Sequence, residues 1–244
     1  MRWIVPRMWE GGECWVIGGG PSITEQFEIP PDIVRAVHSN ELGPEAYSPY
    51  LSALHGKHVV GVNASFLLGD WLDMMFFGDH KFFLMYSREL FEWRGVKVTC
   101  HSKFSNNYQE YRIKYLAKDS KGRGISNDPS KVCWNANSGA AAINLAVHTG
   151  VKRIILLGFD MTIGKDEQTT HWHSLYSQFV VNNKRRTMKG RENRIVVHKL
   201  PYDRHLEGFP LIARDAAKLG VEIINASPDS KIKEFPKVRV KDLL

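Results

Sequence analysis

The sequence predicts an α/β protein, a Rossmann-like, mainly parallel sheet with helices on both faces. Three observations carry that expectation. Short apolar runs, among them Cys14–Ile17, His58–Val62, Met74–Phe77, Val96–Thr99 and Arg153–Leu157, alternate with helical patterns. A helix–glycine–strand unit occurs twice, once through Gly150 and once through Gly220. The runs end in glycine, small or polar residues, as expected where ligand contacts gather at the carboxyl edge of a parallel sheet.

The first run leads into Gly18, Gly19, Gly20, Pro21 and Ser22. This reads as strand, tight loop and first helical turn. The glycines are expected to take positive φ and to let a ligand approach the backbone closely. Ser22 and Glu25 have capping-box spacing. Free N–H groups at such a helix start suit phosphate. The stretch is not a P-loop, since no Gly-Lys-Ser/Thr follows, and it lacks the third glycine of GxGxxG. The competing reading is a plain tight turn.

Between Glu28 and Gly56 the chain is loop-rich, with one short helix near Asp32–Ser39 and Asp32 as its N-cap. His58–Val62 is a strand ending at Asn63, and Ala64–Leu68 starts a helix. Met74–Phe77 is followed at once by Gly78, Asp79 and His80. Residues 102–131 change character: they are polar, charged and tyrosine-bearing, and are read as an insertion forming a lid over the sheet edge or a solvated excursion. Val132–Trp134 is a brief strand. Asn137–Ser138–Gly139 opens an alanine-rich helix with Ser138 as N-cap, stopped at Thr149–Gly150. Arg153–Leu157 is the clearest buried strand and closes in Gly158–Phe159–Asp160.

At 244 residues the chain can bury a sizeable core as one domain spanning 1–244, with the lid-like insertion inside it. Its composition, 43% hydrophobic and 24% charged, is that of a globular protein. No apolar run is long enough to cross a bilayer, and the N-terminus lacks the apolar stretch of a signal peptide. Cys14, Cys100 and Cys133 are odd in number and far apart, so they are expected to be reduced core residues of a cytoplasmic protein. A net charge of +7 favours anionic partners without choosing among nucleotides, nucleic acid and anionic glycans. Lys184, Arg185, Arg186, Lys189, Arg191, Arg194, Lys199 and Arg204 hold much of that charge, either for phosphate or as a solvated face.

Under this fold Gly18, Gly19, Gly20, Ser22, Asn63, Ser138, Gly139 and Asp160 converge at one edge. Together they offer backbone donors, an amide and a carboxylate, the set that a nucleotide needs. Each alone is more often an ordinary cap or turn. His171 and His173 flank Trp172 at the alternation of an extended segment, so both rings can face one ligand. Histidine suits general acid–base work because its unperturbed pKa lies near neutrality. Asp79–His80 is a second acid–base pair. No nucleophile motif is present.

Two stretches resemble a known superfamily. VIGGGPSI (Val16–Ile23) is similar to the strand–GxGPS–helix opening of bacterial sialyltransferases that use CMP-sialic acid. The same opening occurs in motility accessory factors and in archaeal 6-hydroxymethylpterin diphosphokinases. NSGAAAINLAVHTGVKRIILLGFDM (Asn137–Met161) resembles their second signature, and VEIINASPDSKI (Val221–Ile232) their last strand and loop. Asn63 fits the asparagine that these enzymes place after a strand. The combination also resembles uncharacterised phage-encoded members. The resemblance implies a Rossmann-like domain holding a nucleotide or nucleotide-sugar, with His171 or His173 as the counterpart of their base. Met161–Thr162 stands where those enzymes carry aromatic residues, a departure bearing on sialyl transfer itself.

Three activities follow. The first is a glycosyltransferase-like enzyme that takes a nucleotide-sugar donor, a CMP-sugar in preference, and an acceptor hydroxyl of a glycan, protein or nucleic acid, with no metal requirement. The second is a pyrophosphokinase acting on a pterin-like alcohol, with Mg²⁺ on Asp79 and Asp160. The third is a non-catalytic protein binding nucleotide or nucleic acid through the basic run. Oligomeric state is left open.

Overall fold

The computed structural model describes residues 3–165, 169–175 and 201–244. Nine strands are assigned among them: β1 (Glu13–Ile17), β2 (His58–Val62), β3 (Met74–Phe77), β4 (Val96–Thr99), β5 (Lys114–Tyr115), β6 (Ala117–Lys118), β7 (Lys131–Val132), β8 (Arg153–Leu157) and β9 (Glu222–Asn225). Seven form one sheet in the order β5-β4-β3-β2-β1-β8-β9, and β6 pairs with β7. Every pairing is parallel, with Trp15 opposite Val59 on one side of β1 and Ile155 on the other. The expected α/β architecture is what forms.

Strand alternation divides the core. Cys14 and Val16 face one layer with Val60, Phe76, Ile154 and Leu156. Trp15 and Ile17 face the other with Val59, Met75, Ile155 and Leu157. Burial on both faces explains why these strands are continuous apolar runs. The first layer is covered by helix α5 (Ser138–His148), whose alanines are fully buried, and by α7 (Phe209–Leu219). Small side chains let α5 lie close over the middle of the sheet. The second layer is covered by α1 (Ser22–Gln26), α2 (Pro31–Ser39), α3 (His80–Met85) and α4 (Ser87–Glu92). A further short helix, α6, spans Tyr202–Leu206.

Both glycine stops form: Gly150 has φ +94° after α5, and Gly220 has φ +63° at the end of α7. Other expectations shift. Asp32 lies in the first turn of α2 and not at its N-cap, because the helix begins at Pro31 with Pro30 as its N-cap, two residues before Asp32. Residues Asn63–Leu68 form a 3₁₀ helix. The brief strand near Cys133 is reduced to Lys131–Val132. Residues 102–131 are woven into the fold, since they supply β5 at the sheet edge and bury Leu116 and Ile125 in the core. Among the described residues no helix is long and apolar enough to cross a membrane. All three cysteines are buried and unpaired, as expected.

Candidate functional site

The chain runs from β1 outward to β5 and then returns to β8 on the other side of β1. The strand order therefore reverses between β1 and β8. Outside the carboxyl ends at such a switch point, diverging loops leave a crevice in open α/β sheets. The glycine turn follows β1 there, and Gly158–Asp160 follows β8.

These two turns are stitched together. Gly18 N–H donates to Leu157 O (2.7 Å), and Gly20 N–H donates to Gly158 O (2.8 Å). The Ser22 N–H donates to Asp160 Oδ2 (3.3 Å). Gly18, Gly19 and Gly20 do not have positive φ, contrary to expectation; Gly158 does, at +68°. Their glycines are needed for closeness. A Cβ at Gly20 would stand 1.7 Å from Asp160 Oδ2, and one at Gly18 would stand 2.6 Å from Gly158 O. The donors expected to await phosphate at Gly20 and Ser22 are thus engaged within the protein.

The Ser22–Glu25 capping box does not form either. Pro21 is the N-cap of α1 and makes no side-chain cap. Ser22 Oγ instead donates to Ser227 Oγ (3.0 Å), which also accepts the Phe159 N–H (3.2 Å). Glu25 pairs with Lys165 at 2.7 Å. Ser227 was not singled out from sequence, yet it ties the ends of β1, β8 and β9 together from a fully buried position.

Over the glycine turn lies His171–Trp172–His173. The Trp172 indole N–H donates to Gly18 O (3.0 Å), and its backbone N–H donates to Gly19 O (3.1 Å). Its carbonyl accepts from the Tyr47 hydroxyl (3.2 Å). Trp172 is fully buried, so this clamp fixes both flanking histidines. Gly19 exists to accept the His171 ring, since a Cβ there would stand 2.8 Å from His171 Cδ2. The two imidazoles stack with centroids 5.3 Å apart. Thr170 Oγ1 lies 2.9 Å from His171 Nδ1. Burial pushes the His171 pKa down to about 4. His173 is pushed well below its ordinary value, first by burial and then by His171. Both rings are therefore neutral at physiological pH.

The start of α5 closes the edge on the other layer. Asn137, not Ser138, is the N-cap: its extended backbone (φ −153°) leaves Oδ1 accepting from Gly139 N–H (2.8 Å) and Ala140 N–H (3.3 Å). Gly139 lets the helix approach Phe159, whose Cε1 would stand 2.8 Å from a Cβ there. Ser138 Oγ lies beside Gly78, at 3.1 Å from a Cβ placed on it. Asn63 follows β2 with φ +51°, and Ser65 two residues on donates to Gly18 O (3.2 Å). Asn63 Oδ1 and Asn137 Nδ2 are buried without hydrogen-bond partners. One is an acceptor and the other a donor.

Asp160 is nearly inaccessible, and burial raises its pKa. Tyr202 on α6, which sequence reading passed over, stands near it; burial first and the Asp160 charge second raise the tyrosine pKa. Asp79 does not join Asp160. The strands they follow, β3 and β8, are three spacings apart, about 14 Å. Asp79 is exposed, and no group of three or more His, Cys, Asp or Glu among the described residues is arranged to hold a metal. The pair expected for Mg²⁺ therefore does not fit a shared ion. The basic run from Lys184 to Lys199 lies outside the described residues; Arg204 sits on α6. A cavity of about 360 Å³ elsewhere is lined by Trp93, Asp70, Glu89 and Glu92, a charge unsuited to phosphate.

No family model matches this chain, and no curated protein matches it. Among solved structures, the sialyltransferase CstII from Campylobacter jejuni in complex with cytidine-5'-monophosphate is similar at TM-score 0.47 and 12% identity, over 93% of this chain and 84% of that one. Its complex with CMP-3FNeuAc is similar at the same TM-score and identity, over 93% and 86%.

Proposed function

We propose that this chain is a glycosyltransferase-like enzyme that holds a nucleotide-sugar, a CMP-sugar in preference, at the carboxyl edge beside the ends of β1 and β8. The observation that carries this reading is the convergence at the switch point: the glycine turn, Asp160, the start of α5 and the His171–Trp172–His173 clamp meet at one edge. The preference for cytidine rests on the sequence resemblance.

In this reading Asn63 Oδ1 and Asn137 Nδ2 accept and donate to a ribose hydroxyl, relieving two unmet buried groups. Asp160 and Ser22 hold the glycine turn against β8, so that the His171 ring seated on Gly19 faces the donor. His171 removes the acceptor hydroxyl proton through Nε2, in the tautomer whose Nδ1–H donates to Thr170 Oγ1. The oxygen then bonds to the anomeric carbon as the bond from that carbon to the nucleotide's phosphate oxygen breaks. The partial positive end of α5 faces this edge and favours the leaving negative charge. His173 lies behind His171 and fixes its plane.

Isothermal calorimetry with CMP, UDP, GDP and ADP and their sugar conjugates tests this. Cytidine ligands are expected to bind, and the paired variant Asn63→Ala/Asn137→Ala to weaken them at least tenfold, the cost of about one to two hydrogen bonds. Absence of binding by all eight ligands, or equal binding by the variant, contradicts the reading.

A further inference from the structure

A second cluster occupies the same sheet edge at the ends of β3 and β4, away from the switch point. Trp134 rests its ring edge on Gly78, where a Cβ would collide at 2.1 Å. Lys118 holds its ammonium 4.6 Å from the Trp134 ring centroid. Tryptophan is the best aromatic partner for a cation, so lysine and indole form a placed unit and not a loose side chain. From the other side, His80 and His101 approach with ring centroids 5.6 Å apart. His80 Nε2 lies 3.1 Å from the Tyr108 hydroxyl. His101 Nδ1 accepts the Lys103 N–H at 3.3 Å, which leaves the ring proton on Nε2 as a donor.

Positive charge dominates here. The charge of Lys103 depresses the pKa of His80 after burial does, and His80, Lys118 and Lys103 depress that of His101 after burial does. Asp79 alone opposes them at His101. Neither Lys103 nor Lys118 has a carboxylate partner among the described residues. The residues come from the end of β3, the end of β4, the polar segment 102–131 and Trp134 just after it; Leu116 N–H donates to Thr99 O (3.0 Å), which brings the stretch carrying Lys118 to the end of β4. That segment's role is otherwise unexplained by the nucleotide site.

We propose that Lys103, Lys118 and His101 form an anion subsite that binds a carboxylate or phosphate on the acceptor, with Trp134 fixing the lysine. This rests on the transferase reading only for the word acceptor; the subsite itself stands on its own residues. The ends of β3 and β4 lie two and three strand spacings from β1, about 10–14 Å, which places the group beyond the donor and not on it.

The test uses calorimetry with phenyl phosphate and benzoate, on the full chain and on Lys118→Gln and Lys103→Gln/Lys118→Gln variants, with and without CMP. Millimolar or tighter binding of one or both probes is expected, weakened about tenfold in each variant by the loss of a charge-assisted contact. Whichever probe binds tighter identifies the acceptor's anion. CMP binding is expected to be the same in all three proteins. Three results would overturn the proposal: no binding of either probe, equal binding by the double variant, or full displacement of the probe by CMP. The nucleotide reading fails separately, when CMP does not bind the unaltered protein.

Discussion

Gly20→Ala is expected to destabilise the protein by about 3 kcal/mol, the upper range for forcing a methyl into a packed site. The new Cβ would meet Asp160 Oδ2 at 1.7 Å and Gly158 O at 2.7 Å. The carboxylate cannot simply swing aside, because it accepts the Ser22 N–H and is nearly inaccessible. The Gly158 carbonyl is backbone and accepts the Gly20 N–H itself. Urea unfolding should show a lower midpoint with an unchanged slope. Gly19→Ala is the informative contrast. Its collision is with a side chain and not with backbone, the His171 ring at 2.8 Å, so stability falls less while the imidazole is displaced. Equal stability of Gly20→Ala and the unaltered protein would mean that the turn is not docked on Asp160.

His171→Asn is expected to lower transfer from a CMP-sugar by about 10²–10⁴-fold, the usual contribution of a general base. Its pH dependence carries the sharper prediction. Burial holds the His171 pKa near 4, so the ring remains unprotonated far below its ordinary 6.5. The acid limb of kcat/KM should therefore fall with an apparent pKa near 4, and His171→Asn should abolish that limb. Stability follows the same group. A depressed folded-state pKa means that the unfolded chain takes up the proton first. The stabilisation is complete above pH 6.5 and is lost as pH falls from there toward 4. The variant should show a shallower loss of stability across that window. An acid limb near 6.5 would place the base elsewhere.

The strands were legible because both faces of a parallel sheet are buried, which writes each one as an unbroken apolar run. The small and polar ends of these runs were legible too, since the strands are followed by Gly18, Asn63, Gly78 and Gly158. What sequence misassigned is local. Asn137 and Ser138 are adjacent and both able to cap; only the backbone angle at Asn137 chooses between them. The triple glycine suggested positive φ, whereas its cause is a carboxylate 138 positions away from Ser22 in the chain. Sequence pointed to His171 and His173 but gave Trp172 no role, and its two hydrogen bonds to the glycine turn are what place those rings. Tyr202 gave no signal, and Ser227 none beyond its place in the Val221–Ile232 stretch, because a lone hydroxyl has no periodicity to betray a long-range contact.

The most direct test is a crystal of the protein soaked with an equimolar mixture of CMP, UDP, GDP and ADP. The expected result is one nucleotide, cytidine-based, with its phosphate beside the start of α5 and its ribose at Asn63 and Asn137. An empty switch point, or a nucleotide seated instead at the Trp93 cavity, would contradict it.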